Sequence, residues 1–255
     1  MLRQIGFIGV GHIAEYIVTG LAQTGENINF FFADPCPQRA RRLAELHGGE
    51  VSQDNQMPVD QADLIILSTR PQQVESALQG LSFRPGQILA SIAVGIPLQL
   101  LDRYVKPARS FRVLPISCVA VNQSPVLIYP ENQDLRSFFS LLGRVHTLPD
   151  ETTFEPATSL VGAFYAWIFA LMEETVNWTA GQGLEPDLAR KLVIETVQGA
   201  CAMATAQDKL SLNQIWASLA TPGGISEYGL RVINQKEGLK VWSDALHLVT
   251  ERLRR

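Results

Sequence analysis

The stretch QIGFIGVGHIA, residues 4–14, decides the fold of this chain. A short apolar run typical of a strand leads directly into Gly9-x-Gly11-x-x-Ala14, and a helical pattern of apolar residues follows. In this strand–turn–helix setting, Gly9 permits a tight turn and Gly11 lets a pyrophosphate approach the backbone. The small side chain of Ala14 permits close packing of the helix on the sheet. The motif therefore predicts a dinucleotide site whose phosphates face the positive N-terminus of the helix.

Residues next to this turn are the candidate contacts for the rest of the nucleotide. His12 and Ile13 lie in the loop itself, and His12 either faces the cofactor or is a polar loop residue without a chemical role. Asp34 ends the second apolar run, where an acidic side chain accepts hydrogen bonds from the adenosine ribose of NAD. Arg39 and the two arginines that follow it either clamp the 2′-phosphate of NADP or form a solvated helix face. The sequence leaves NADH and NADPH open, with a slight preference for NADH.

Short apolar runs alternate with helical patterns over the first half of the chain. The candidate strands are residues 4–9, 28–33, 64–68, 87–93, 111–114, 125–129 and 145–148. Near-continuous apolar strands separated by helices predict an α/β fold, a doubly wound parallel sheet covered on both faces. Only helical patterns follow after residue 150. We therefore predict two domains, a nucleotide-binding Rossmann domain at 1–150 and an all-helical domain at 151–255.

Composition excludes several classes of function. The formal net charge of -4 provides no basic field for nucleic acid. The three cysteines are far apart and no histidine pair has metal-ligand spacing, so neither a metal site nor a disulfide framework is predicted. The run ATSLVGAFYAWIFALM, residues 157–172, is shorter than the about 20 apolar residues of a bilayer span. It predicts a buried helix, and we expect a cytoplasmic protein without a membrane partner.

Five segments carry more specific information than the glycine turn alone. They are IGFIGVGHIAEYIVTGL (5–21), LIILSTRPQQV (64–74), SIAVGI (91–96), FRVLPISCVA (111–120) and TPGGIS (221–226). In this order, over nearly the whole chain, they resemble the pyrroline-5-carboxylate reductase family. That family has Ser-Ile-Ala-Ala-Gly-Ile at the third segment and Ser-Pro-Gly-Gly-(Ala/Thr)-Thr at the fifth.

The resemblance implies a fold, an activity and an assembly. It implies hydride transfer from NAD(P)H to the C=N carbon of a cyclic imino acid, most specifically pyrroline-5-carboxylate, giving proline. It also implies that the helical domain forms a homodimer, which in some members assembles further into a ring. The active site is then expected at the junction of the two domains, with a contribution from the partner subunit.

The resemblance assigns the late glycine turn to the substrate. Ser226 stands at a family threonine and is expected to bond the imine nitrogen or the carboxylate. Thr221 is expected to cap or hold that carboxylate, and Gly223 and Gly224 to offer close approach and free amides. Taken without the other motifs, the same residues indicate a helix cap in a linker turn.

Two strand ends complete the candidate site. Ala93 and Gly95 follow an apolar strand, and their small size would let a nicotinamide ring lie flat. Thr69, Arg70 and Pro71 end the neighbouring strand and are expected to line the same crevice, unless they form an ordinary strand-to-helix turn.

Bulky or apolar residues replace small or polar ones at several family positions. These departures are Ile116, Phe164, Tyr165, Trp216 and Ala217. They keep two alternatives open. One is a reductase of a different imine or keto substrate on this scaffold, and the other is a nucleotide-binding homologue without turnover.

Overall fold

The structure, a computed structural model, describes residues 2–254 and divides into two compact units. The first comprises residues 2–161 together with 250–254, and the second comprises residues 162–249. The strands of the first unit are β1 (Gln4–Ile8), β2 (Asn29–Ala33), β3 (Glu50–Ser52), β4 (Leu64–Leu67), β5 (Ile88–Ser91), β6 (Arg109–Leu114), β7 (Ser124–Tyr129) and β8 (Gly143–Thr147). Its first six helices are α1 (His12–Ala22), α2 (Gln38–His47), α3 (Gln56–Gln61), α4 (Val74–Leu78), α5 (Leu98–Val105) and α6 (Gln133–Phe139).

The eight strands form one sheet in the order β3-β2-β1-β4-β5-β6-β7-β8. The chain moves outward from β1 in one direction and from β4 in the other, which creates a topological switch point between these two strands. Ligands of open α/β sheets bind outside the carboxyl ends of the strands at such a point. The predicted α/β fold with a Rossmann sheet is confirmed. One detail differs, because β6 and β7 pair antiparallel while the other neighbours are parallel.

Apolar side chains cover both faces of this sheet. One core packs α1 against β1 and β2, with the rings of Phe7 and Phe32 stacked at 5.5 Å. A second core on the opposite face packs Ile65 and Leu67 of β4 against Leu101 of α5. All four residues of β4 are buried, which explains why this strand reads as a continuous apolar run.

A buried ion-pair network holds residues 151–158 to the sheet. Arg112 of β6 donates to Glu151 at 3.2 Å and to Glu155 at 2.6 Å, and its guanidinium lies 4.1 Å from the ring centroid of Phe154. Glu151 also accepts the amide of Leu98 at the start of α5. This stretch therefore packs within the first compact unit, which reaches residue 161. The domain boundary at residue 150 stays a prediction.

The second unit is helical, as its sequence predicts. Beyond α7 (Phe154–Thr158) and a π-helical turn at Ser159–Phe164, its helices are α8 (Tyr165–Gly181), α9 (Pro186–Ala206), α10 (Leu212–Leu219), α11 (Ile225–Gln235) and α12 (Gly238–Leu253). The last turn of α12, from residue 250 onward, belongs to the first unit. Local chemistry fixes the starts of α9 and α10. Pro186 occupies the first turn of α9, and the side chains of Ser211 and Gln214 form a capping box on α10.

The expectation of a buried helix at 157–172 is wrong for the isolated chain. No residue of α8 is buried, and Phe169 and Trp178 are more than half exposed. The continuous helical stretch Glu151–Gly181 is long and apolar enough to cross a membrane, by length and composition alone, and 17% of its most apolar segment is buried. Large exposed apolar side chains on one helix, such as Phe169 and Trp178, indicate an interaction surface.

Candidate functional site

A cleft of about 600 Å³ opens at the switch point of the sheet. The carboxyl ends of β1, β2 and β4 converge there, so residues distant in sequence share its wall. Five predicted cofactor residues line it, namely Gly9, Gly11, Asp34, Thr69 and Arg70. The structure therefore brings together the glycine turn, the acidic end of β2 and the polar end of β4.

The two glycines of the turn meet different requirements. Gly9 has φ of +85°, and a Cβ atom there would lie 2.9 Å from the Cγ2 of Thr69. Gly11 has ordinary extended backbone angles, and a Cβ atom there would meet nothing within 4 Å. Gly9 is thus required by the fold itself, whereas Gly11 leaves open space at the N-terminus of α1.

The Asp34 carboxylate fixes the shape of this loop. One oxygen accepts the amide of Val10 at 2.7 Å, and the other accepts the amide of Cys36 at 2.7 Å. The first bond ties β2 to the glycine turn, and the second closes the β2–α2 loop. Asp34 itself is half-buried and faces the cleft.

Three features fit a dinucleotide in this cleft. The open space beside Gly11 suits a phosphate, and no side chain caps the N-terminus of α1. Uncapped amides at a helix N-terminus attract anions. The hydroxyl of Thr69 is buried without a hydrogen-bond partner, although buried polar atoms are normally paired. The residues present therefore fit the cofactor that the fold implies.

Other predicted residues near the glycine turn do not line the cleft. Ala14 is fully buried on the face of α1 that packs against the sheet, and Ile13 packs against the same core. His12 is exposed in the first turn of α1. Arg39 points toward α1, where its guanidinium lies 3.9 Å from the carboxylate of Glu15.

The predicted residues of the later strand ends also lie off the cleft wall. Pro71 is exposed and begins a short 3-10 turn. Ala93 is nearly buried in the second core. Gly95 has φ of +76°, and a Cβ atom there would lie 3.3 Å from the carbonyl oxygen of Leu253. Their assignment to the nicotinamide stays a prediction.

Sequence reasoning missed part of the cleft wall. Cys36, Gln53 and Asn55 line it, and the last two follow β3, a three-residue strand that the apolar pattern does not reveal. For these three residues, the signal that the sequence offers is the position of Cys36, two residues after the predicted ribose contact Asp34.

The late glycine turn lies in the helical unit and directly precedes α11, with Gly224 at the N-cap position. The Gly223 amide donates to Glu227 at 2.6 Å, and the Gly224 amide donates to the Thr221 carbonyl at 2.9 Å. The expectation that both amides are free is therefore wrong. A Cβ atom on Gly224 would lie 2.7 Å from the Thr221 hydroxyl oxygen, so this glycine is needed for close approach. Thr221 and Ser226 are exposed, and their catalytic role stays a prediction.

An aromatic cluster occupies the departure at residues 164 and 165. The Phe164 ring packs edge-on against Trp242 at 5.8 Å and near Trp167, and Tyr165 packs edge-on against Phe169 at 5.1 Å. The other departures lie in different surroundings. Ile116 is nearly buried in the first unit, and Trp216 is half-exposed on α10.

Two family models match this chain. Residues 151–255 match the model described as pyrroline-5-carboxylate reductase dimerisation. Residues 4–95 match the model described as NADP oxidoreductase, coenzyme F420-dependent.

Curated relatives match nearly the full length of this chain, and solved structures share its fold. A pyrroline-5-carboxylate reductase from Pseudomonas aeruginosa is 25% identical and covers 98% of this chain and 95% of its own. The structure of a Plasmodium falciparum pyrroline carboxylate reductase with NADP bound has a TM-score of 0.87 at 20% identity, covering 99% and 97%. A reductive aminase from Aspergillus terreus, in complex with NADPH, has a TM-score of 0.62 at 15% identity, covering 100% and 92%.

Proposed function

This chain belongs to the pyrroline-5-carboxylate reductase family, and on that premise we propose that it reduces the C=N bond of a cyclic imino acid with NAD(P)H. The first substrate to test is pyrroline-5-carboxylate, with proline as the product. The observation that carries the proposal is the switch-point cleft. The open space beside Gly11, the carboxylate of Asp34 and the buried, unpaired hydroxyl of Thr69 all lie in its wall.

The residues of the cleft have separate tasks in this reaction. When bound, the reduced nicotinamide supplies the hydride. The backbone beside Gly11 and the N-terminus of α1 hold the pyrophosphate, and Asp34 holds the adenosine ribose. Thr69 and Arg70 line the other side of the cleft, where they hold polar groups of the cofactor.

The late glycine turn supplies the candidate substrate contacts. We assign the hydroxyl of Ser226 to the imine nitrogen or the substrate carboxylate, and that of Thr221 to the carboxylate. Both side chains are exposed and therefore available to a ligand. The experiment follows the absorbance of reduced nicotinamide with pyrroline-5-carboxylate as substrate.

Ser226→Ala is expected to lower kcat/KM by roughly 10- to 100-fold, the usual loss when one hydrogen bond to a reacting group is removed. Ser243→Ala is the matched control, because its hydroxyl bonds the Lys240 carbonyl within α12. Unchanged kinetics in Ser226→Ala contradict the role of that hydroxyl. Cofactor binding without turnover of any imine supports the alternative that this chain is a nucleotide-binding homologue without catalysis.

We further propose that the helical unit forms a homodimer. Residues 151–255 match a dimerisation family, and grooves lined by apolar residues flank the α8–α9 hairpin. Phe169 and Trp178 are too exposed for an isolated soluble chain, and a second copy covers them without a membrane. Sedimentation of the purified protein checks this proposal, since a monomer contradicts it and a particle larger than a dimer indicates a ring of dimers.

A second candidate function has one observation in its favour. The aromatic cluster around Phe164 and Trp242 places apolar rings where the family has small residues at the start of a helix. A reductase of a larger or keto-derived imine would use such rings to bind apolar substrate. A panel of cyclic imines of increasing size separates the two candidates, because the second predicts that kcat/KM rises with substrate size.

A further inference from the structure

The loop between β5 and α5, residues 92–97, leaves the same edge of the sheet as the cofactor cleft. Strands β1 to β6 are parallel, so their carboxyl ends share that edge. The amide of Ile92 donates to the Leu67 carbonyl at 3.0 Å, and Thr69, which lines the cleft, follows two residues after Leu67. The loop therefore begins about one strand spacing, roughly 5 Å, from the cleft wall.

The side of the sheet on which this loop lies matters for a dinucleotide. Such a ligand crosses the switch point, with one mononucleotide on each side of it. Asp34, the expected adenosine ribose contact, follows β2, whereas β5 lies beyond β4 in the other direction. We therefore expect the loop after β5 to border the nicotinamide half of the cofactor.

Two contacts from later parts of the first unit hold the middle of this loop. Val94 packs against the small apolar cluster that contains Phe154. A Cβ atom on Gly95 would lie 3.3 Å from the carbonyl oxygen of Leu253, so the last turn of α12 lies close to the loop backbone. The loop is thus supported from outside the strands that it connects.

The carboxylate of Glu151 holds the far end of the loop, where α5 begins. Its Oε1 accepts the amide of Leu98 at 2.8 Å and the Nη1 of Arg112 at 3.2 Å. Pro97, the N-cap residue of α5, makes no side-chain hydrogen bond to the helix, so Glu151 takes the place of a cap. Arg112 is buried and also donates to Glu155 at 2.6 Å, which fixes the guanidinium that Glu151 contacts.

We propose that Glu151 is a positioning residue that sets the place of the nicotinamide end of the cofactor, an inference that rests on the proposed nicotinamide-dependent function. It acts through the Leu98 amide on the β5–α5 loop and does not itself touch the ligand. Hydride transfer depends on that placement, since an error of about 1 Å can lower the rate about 100-fold. Binding of the adenosine half does not, because the glycine turn and Asp34 lie at the ends of β1 and β2.

Two substitutions of Glu151 separate this role from that of an ion pair. Glu151→Gln loses the charge that faces Arg112 but keeps an oxygen that reaches the Leu98 amide. Glu151→Asp keeps the charge but shortens the side chain by one carbon–carbon bond, about 1.5 Å, which takes its oxygen out of reach of that amide. We expect kcat to fall at least roughly tenfold in Glu151→Asp and to stay within roughly threefold of the wild type in Glu151→Gln.

The matched control is Glu155→Gln, which removes the same charge from the same guanidinium. In the described residues 2–254, the Glu155 carboxylate bonds Arg112 and not the loop, so its kcat should equal that of the wild type. Urea titration of each variant measures the loss of stability separately. An ion-pair role alone predicts the opposite order, with Glu151→Asp close to the wild type and both glutamine variants impaired.

A second measurement needs no turnover. Calorimetry compares the tighter-binding of NADH and NADPH with its fragment that lacks nicotinamide, ADP-ribose or 2′-phospho-ADP-ribose. In Glu151→Asp, the affinity for the whole cofactor should fall at least roughly threefold, while that for the fragment stays within roughly twofold of the wild type. Glu151→Gln should change neither affinity by more than roughly twofold.

Three results would overturn the inference. They are wild-type kinetics and affinities in Glu151→Asp, an equal loss of kcat in Glu155→Gln, and a fragment affinity that falls together with that of the whole cofactor. A protein that reduces no imine, but in which Glu151→Asp weakens the whole cofactor selectively, would refute the proposed function and leave this inference standing.

Discussion

Replacing Arg112 by methionine should destabilise the first unit by about 3 to 4 kcal/mol. The Arg112 side chain is 4% exposed and pairs with Glu155, 14% exposed, and with Glu151, 31% exposed. Removing one partner of a buried ion pair typically costs about 3 to 5 kcal/mol, because the remaining charge stays buried without compensation. Loss of the stacking on Phe154 adds about 1 kcal/mol, and partial exposure of Glu151 subtracts from the total.

The positions of the tryptophans provide a clean assay. All four, at 167, 178, 216 and 242, lie within residues 162–249, so their fluorescence reports on the helical unit. Far-ultraviolet circular dichroism reports on both units. In urea titrations at several protein concentrations, Arg112→Met should shift the dichroism transition more than the fluorescence transition.

A control on the same strand sharpens the measurement. Arg109 is exposed, and its guanidinium lies 5.1 Å from the ring centroid of Phe111, so Arg109→Met should change stability by less than about 0.5 kcal/mol. A double-mutant cycle with Glu155→Gln should give a coupling energy of about 1 to 3 kcal/mol. The reasoning is refuted if Arg112→Met unfolds within about 1 kcal/mol of the wild type.

Two further predictions concern the glycine turn and the acid response. Gly11→Val should leave the melting temperature unchanged, because the backbone there is extended and its surroundings are open. The same substitution should abolish cofactor binding in calorimetry, since its side chain fills the space beside the turn. A lowered melting temperature with binding retained would contradict this prediction. Hydrogen bonds from Arg136 and Thr147 lower the pKa of Glu131 from 4.5 to about 2. The stabilisation from this carboxylate is therefore complete above pH about 4.5 and disappears as the pH falls toward 2. Glu131→Gln should flatten the loss of stability across that window in acid titrations followed by circular dichroism, and an unchanged profile would contradict the assignment.

Local patterns predicted most of the nucleotide fold. The apolar runs found β1, β2 and β4, whose ends form the cleft, because buried parallel strands are apolar throughout. They missed β3, since three residues with exposed and half-buried side chains carry no such pattern. They also could not reveal that β7 runs antiparallel to β6, because apolarity records burial and not strand direction.

Long-range contacts account for the remaining differences. Residues 151–158 join the first unit because Arg112 reaches Glu151 and Glu155, partners that are about 40 residues away in the chain. No periodicity encodes such a pair. Likewise, Asp34 was expected at the cofactor from its position after a strand, but its two amide bonds depend on how two loops fold together.

One hydrogen bond in the late glycine turn excludes part of the role predicted for it, the binding of a substrate carboxylate by free backbone amides. A substrate carboxylate at the Gly223 amide would have to displace Glu227, which already accepts that amide at 2.6 Å. In this conformation the turn is therefore not an anion site made of backbone amides. The predicted substrate contacts that remain in the turn are the hydroxyls of Thr221 and Ser226. Substituting Gly224 would push a Cβ atom against Thr221 and deform the turn, so lost activity would say nothing about the substrate. Ser226→Ala leaves the turn intact, because its bonds involve neither the Ser226 hydroxyl nor the Ser226 amide. It is therefore the substitution that distinguishes a substrate-binding turn from a helix cap.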